Sequence, residues 1–202
     1  MQHAPLKLEV SMGSQRSKTD GMQSLLEAAR DSGKGLPPVD RWHPEYCGEM
    51  DMVIRRDGSW WHEGTRIGRT ALVRLFARIL RKDEDGETYL VTPAEKIRIV
   101  VEAGHFLAVR VDALGEGEAQ KLVFTTDHEE QVVAGPDHPL RIAFGKDGEP
   151  EPYVHVRGRL EALLTRPVYY ELANLAVEGR APDGRQCLGV WSDGMFVPLE
   201  RG

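Results

Sequence analysis

Arg66 and Arg69 lie in the loop that enters a run of helical period, a placement that points to anion binding. The first turn of a helix offers free backbone N–H groups and a positive dipole end. A planar guanidinium beside it grips a carboxylate or phosphate at two points. A purely structural role for both arginines is the competing reading. Lys96 is an assisting cation in the same scheme, and Trp60 and Trp191 supply apolar contact. His155, on a predicted strand beside Arg157, is the best general-base candidate, although a lone histidine is more often merely accommodated. Adjacent Trp60 and Trp61 must face opposite sides of a strand, so only one of them enters a given core face.

Other suggestive residues read as structure. Thr92-Pro93-Ala94-Glu95 has the pattern of a capping box with proline at the first helical position, which predicts one helical turn rather than a catalytic pair. Trp191-Ser192 falls in a hairpin and lacks the glycines of a nucleophile elbow. His43 and Cys47 have no second pair at ligand spacing, and His62-Glu63 lacks the second histidine of a zinc-protease pattern, so no metal site is expected. Phosphate-loop and dinucleotide glycine patterns are missing, and no cofactor is expected.

Charge is unevenly spread. The 202 residues carry a net charge of −6, with a pI near 5.7, which argues against a surface built throughout for phosphates. Yet residues 54–82 hold eight basic side chains (Arg55, Arg56, Arg66, Arg69, Arg74, Arg78, Arg81, Lys82) against Asp57 and Glu63. Such a segment attracts an anionic partner or docks an acidic face of the same protein; a solvated helix face is the plainer reading. Nucleic-acid contact along Arg74, Arg78, Arg81 and Lys82 ranks third. Two cysteines are too few for a disulfide framework and suit a reducing, cytoplasmic setting. No apolar run reaches the roughly 20 residues of a membrane span, nor does a signal-peptide stretch open the chain, so membrane insertion is not expected.

The elements that must position these residues follow from period. Residues 1–35 form a polar leader, with a short helix over 23–30, followed by an extended Leu36-Pro37-Pro38 arm. Asp57-Gly58 between strand-like runs predicts a hairpin. Leu72, Leu75, Phe76, Ile79 and Leu80 predict one helix, ended by residues 83–86, with Arg74, Arg78, Arg81 and Lys82 on its outer side. Strands are predicted over 96–102 and 106–114, where Leu107, Val109 and Val111 alternate, and again at 122–125 and 132–134. Strand, Asp147-Gly148 turn, strand and a helix over 166–177 then restate the first half, and a hairpin around Ser192-Asp193-Gly194 closes the chain. The expected fold is α+β, with two small related domains, 36–105 and 106–202, each an antiparallel sheet with a helix.

Leu36-Pro37-Pro38, Trp42-His43-Pro44-Glu45, Cys47-Gly48, Asp57-Gly58-Ser59-Trp60, residues 64–69, 72–76 and 89–96, and more weakly 189–194, resemble the uncharacterised bacterial domain-of-unknown-function family DUF1285. The resemblance implies a duplicated α+β core, a C-terminal half loosely like pleckstrin-homology folds, and a part in signal transduction. It carries no catalytic residue. The resulting expectation is a non-enzymatic cytoplasmic binding or regulatory protein that recognises an anionic small molecule or peptide near the domain junction. The alternative is a hydrolase or transferase on a phosphate- or carboxylate-bearing substrate, using His155 with Arg66 and Arg69.

Overall fold

The computed structural model describes residues 35–145 and 147–200; the predicted leader and its helix over 23–30 lie outside the described residues. The arm passes through a 3-10 turn, Val39–Arg41, into β1 (Tyr46–Ile54), β2 (Trp60–His62) and β3 (Thr65–Arg66). The β1–β2 hairpin forms where Asp57-Gly58 predicts it. Gly58 has φ +76°, and a Cβ there would lie 2.8 Å from Leu107 Cδ1, so this turn needs glycine for conformation and for space. The Asp57 carboxylate accepts the Ser59 N–H at 3.0 Å and fixes the turn from within.

The next helix is shorter than its period suggests. α1 covers Thr70–Arg78, then β4 (Leu80–Lys82), β5 (Thr88–Val91) and β6 (Lys96–Val101) follow. Leu80 pairs with Leu90, and Leu90 with Ile97, in a buried row. Pairing of that row outweighs one more helical turn. Arg81 and Lys82 therefore sit on a strand, and residues 83–86 turn a hairpin instead of stopping a helix. Thr92 does cap, its Oγ accepting the N–H groups of Ala94 (3.3 Å) and Glu95 (3.1 Å). However, its own N–H donates to Glu95 O at 2.9 Å, which closes the β5–β6 hairpin rather than a helical turn.

The second sheet comprises β7 (Phe106–Leu114), β8 (Lys121–Thr126), β9 (Gln131–Val133), β10 (Leu140–Phe144), β11 (Pro150–Arg157) and β12 (Leu160–Leu164). α2 (Arg166–Asn174) follows, ending before the predicted Val177, and β13 (Val177–Arg180), β14 (Gln186–Ser192) and β15 (Met195–Pro198) make a small antiparallel third sheet. Strand order is β3-β2-β1-β6-β5-β4 in the first sheet and β10-β11-β12-β7-β8-β9 in the second. In each, two three-strand meanders join through a parallel pair, β1 with β6 and β7 with β12. The expectation of purely antiparallel sheets is corrected by these central pairs, which local turn signals do not report. The helix follows the third strand in the first sheet and the sixth in the second. Residues 142–177 thus occupy a different place in their sheet from that of 52–80.

One contiguous apolar cluster runs through both units, from Met52, Ile54, Phe76 and Leu90 to Phe106, Phe124, Val154 and Leu164. Ser192 seals the third sheet onto the second: its buried hydroxyl accepts the Leu122 N–H (2.9 Å) and donates to Ala134 O (2.6 Å). Among the described residues, no helix is long and apolar enough to cross a membrane.

Candidate functional site

The six residues singled out from the sequence do not converge. Trp60 is 1% exposed and stacks on Phe76, ring centroids 6.1 Å apart, so it belongs to the core. Trp61 takes the other side, beneath the Arg55 guanidinium. Lys96 donates to Asp83 Oδ2 at 2.9 Å over the Tyr89 ring. Trp191 packs on Phe196 in the third sheet. His155 lies between the His138 ring (5.4 Å) and Gly158 O, which accepts from its Nε2 at 2.8 Å. Arg66 and Arg69 are exposed, on edge strand β3 and immediately before α1. None of the six lines any of three cavities, of about 180, 260 and 450 Å³, and in none of these does His155 meet Arg66 or Arg69.

Part of the basic segment instead faces the second sheet. Arg56 pairs with Glu151 at 2.7 Å and Arg74 with Glu129 at 2.6 Å, while Arg159 returns the contact to Glu84 at 2.7 Å. Arg78 donates to Gly35 O. Arg81 grips Asp83 through two nitrogens and donates to Val39 O (2.9 Å) and Trp42 O (2.7 Å), tying the arm to β4. Arg157, from β11, donates to Ala77 O in the last turn of α1 at 2.7 Å and to Glu130 at 3.1 Å. This is docking of an acidic face of the same chain. Three of the four residues proposed for nucleic-acid contact are engaged inside the molecule.

Lys82 is the exception within that stripe. It is half-buried, its ammonium makes no hydrogen bond or ion pair among the described residues, and it lies on the wall between two cavities. One, of about 180 Å³, is bounded by the arm, β4 and the β11–β12 turn. The other, of about 260 Å³, is lined by Lys82, Glu87, Thr88, Arg98 and His105, among others. A third, of about 450 Å³, lies between α1 and His128.

His105 organises the 260 Å³ cavity. It is buried, and burial first, then the Lys82 charge, pushes its pKa down to about 4, so the ring is neutral near pH 7. The Glu161 N–H donates to Nδ1 at 3.2 Å, which leaves the ring proton on Nε2, facing Thr88 Oγ at 3.2 Å. Arg98 is held by Glu49 (2.9 Å) and Glu87 (3.1 Å). Arg141 holds Glu161 in two-point fashion and keeps its carboxyl below the ordinary range. Sequence reasoning passes over His105 and Thr88, because their partners lie 56 and 17 residues away with no local pattern to join them. No cluster of three or more metal-ligating side chains occurs among the described residues.

The family model described as "Domain of unknown function (DUF1285), N-terminal domain" matches residues 37–104, and that described as "Protein of unknown function (DUF1285), C-terminal domain" matches residues 105–199. The chain belongs to the DUF1285 family. It is similar to a DUF1285 family protein from Silicibacter pomeroyi DSS-3, whose crystal structure shares 46% identity over 87% of this chain and 93% of that one, with a TM-score of 0.78. A DUF1285 family protein from Shewanella baltica OS155 shares 26% identity over 62% of this chain and 91% of that one, with a TM-score of 0.48. No curated protein matches the chain. The two DUF1285 matches meet between Gly104 and His105. A Cβ on Gly104 would lie 2.6 Å from Leu163 N, and His105 bonds Thr88 of the N-terminal match with one ring nitrogen and Glu161 of the C-terminal match with the other.

Proposed function

We propose that this protein is a non-enzymatic regulatory or binding protein of the bacterial cytoplasm that recognises an anionic small molecule or peptide at the domain junction. The observation that carries the reading is Lys82, a half-buried ammonium at that junction without a counter-charge bonded to it, between two cavities. An ammonium removed from part of its water and left unpaired is costly, and an incoming anion offsets that cost. Arg66 and Arg69, exposed at the edge of the first sheet, likewise have side chains with no hydrogen bond or ion pair among the described residues; they remain candidates for steering an anion. The shared strand order of the two sheets supports a duplicated core. The six-strand sheet followed by α2 supports the loose pleckstrin-homology likeness, and with it a role in signal transduction.

The test is thermal stability of the full chain against phosphate-, sulfate- and carboxylate-bearing small molecules and acidic peptides. A ligand at a hundred times its Kd stabilises by about 2.7 kcal/mol, a rise of roughly 5–10 °C for a protein of this size. Lys82→Gln should remove the rise while leaving the unliganded melting temperature nearly intact, with Arg66→Ala and Arg69→Ala as parallel arms. No stabilisation by any of these anions, or an undiminished rise in Lys82→Gln, overturns the junction reading.

A further inference from the structure

We infer that the 260 Å³ cavity beside β5 takes a compact oxyanion, a phosphate or carboxylate group, held by the Lys82 ammonium and by a Thr88 hydroxyl whose proton His105 directs outward. This rests on the junction reading and deepens it by naming the ligand chemistry and a second donor.

A backbone N–H has only its proton to give, so Nδ1 of His105 must present its lone pair to Glu161. A neutral imidazole then carries its proton on Nε2, and at 3.2 Å that proton is donated to Thr88 Oγ. The Thr88 hydroxyl, accepting there, has its own proton free to give. Thr88 is 5% exposed, and no acceptor among the described residues takes that proton, although the side chain lines the cavity. A buried hydroxyl donor left unmatched is costly, and an oxyanion in the cavity completes it.

Charge agrees in sign. Lys82 and Thr88 are opposite one another across the β4–β5 pair, so their side chains leave the same face of the sheet. Glu87 also lines the cavity, but its carboxylate is turned onto Arg98, which Glu49 holds as well. Glu161 is gripped by Arg141. Of the charged side chains that line the cavity, Lys82 and Arg98 are positive and Glu87 is negative, a net single positive charge, while the Glu161 carboxylate, which also feels the Lys82 charge, is not among the lining residues. The cavity is also smaller than the roughly 300–1,000 Å³ of pockets for drug-sized ligands, which suits one small anionic group over an extended molecule.

The experiment is titration of the full chain at pH 7.5 with inorganic phosphate and, separately, with acetate and succinate, followed by calorimetry and by NMR of the Thr88 methyl and the His105 ring. Saturable binding is expected, with both signals shifting and with His105 nitrogen shifts reporting a protonated Nε2. Lys82→Gln and Thr88→Val should each weaken binding about tenfold or more, whereas Thr88→Ser should stay within a few-fold of the parent. Phosphate binding without carboxylate binding, or the reverse, identifies which oxyanion the cavity takes. Absence of saturable binding by all three anions overturns this inference, while the junction reading then stands or falls on the acidic peptides. Binding lost in Lys82→Gln but unchanged in Thr88→Val keeps the junction reading and removes the Thr88 donor. Should Thr88→Val fail to fold, unmoved Thr88 and His105 signals in the parent protein under saturating phosphate overturn the inference equally.

Discussion

Replacing Arg157 with methionine keeps an aliphatic stem near the Phe106 ring and removes the guanidinium that joins the two sheets. That guanidinium donates to Ala77 O at 2.7 Å, a carbonyl in the last turn of α1 that otherwise only shares the Ile79 cap N–H with Phe76 O, and to Glu130 at 3.1 Å. Its side chain is 18% exposed and that of Glu130 22%, so water replaces the lost bonds only in part. A hydrogen bond to a charged group contributes about 1.5–3 kcal/mol, and breaking a fully buried pair costs about 3–5 kcal/mol. For this partly wetted site we expect a loss of about 2–4 kcal/mol, or roughly 5–15 °C in Tm. Because the lost bonds join the sheets, urea unfolding should also lose cooperativity, with a lower slope or a split transition. A double-mutant cycle with Glu130→Gln should give a coupling of about 1–3 kcal/mol. A single unchanged transition, with Tm within about 2 °C of the parent, would refute the assignment of Arg157 as the tie between the sheets.

Two further substitutions test the joint and the seal. Burial holds the His105 pKa at about 4, against an ordinary value of 6.5. Between those pH values the unfolded chain takes up a proton that the folded chain refuses, so this stability is fully present above 6.5 and is lost as pH falls toward 4, by about 3 kcal/mol at most. Urea midpoints should therefore fall less steeply with acidification in His105→Gln than in the parent; an NMR titration midpoint above pH 6 for His105 contradicts the premise. Ser192→Ala strands the Leu122 N–H and the Ala134 carbonyl in a site 1% exposed, and should cost about 1–3 kcal/mol in urea unfolding. A change under about 0.5 kcal/mol would show that the hydroxyl seals nothing.

Much of the fold was legible where its cause is local. Asp57-Gly58 and Asp193-Gly194 make their turns from their own residues, with φ +76° at both glycines. The strand over 106–114 was legible too, but not its inward face. Phe106 and Ala108 are buried while Val109 is exposed, and a register shift between Ala108 and Arg110 returns Val111 to the core. β4 was hidden because Leu80 satisfies a helical period and a strand row equally well, and only pairing with Leu90 decides between them. The parallel pairs β1–β6 and β7–β12 bring together strands far apart in sequence, which no local turn encodes. The same distance hides the joint histidine, whose two partners come from different sheets.

The basic segment shows why composition alone misplaces a site. Part of its excess charge is met by Glu129 and Glu151, and Arg157 answers from the second sheet with Glu130 as its own counter-charge. Residues that hold the sheets together are the ones with short bonds, and their loss must lower stability. A basic residue kept for a ligand has the opposite signature: little effect on the empty protein and a large one on the loaded protein. Lys82 meets the structural condition for that second class, as do the exposed Arg66 and Arg69. The two properties separate because a bond already made in the free protein contributes to folding, whereas one completed only by an incoming anion contributes to binding. Comparing Arg157→Met with Lys82→Gln, each with and without anion, reads the two roles independently, since Arg157 lines only the 180 Å³ cavity and Lys82 lines both.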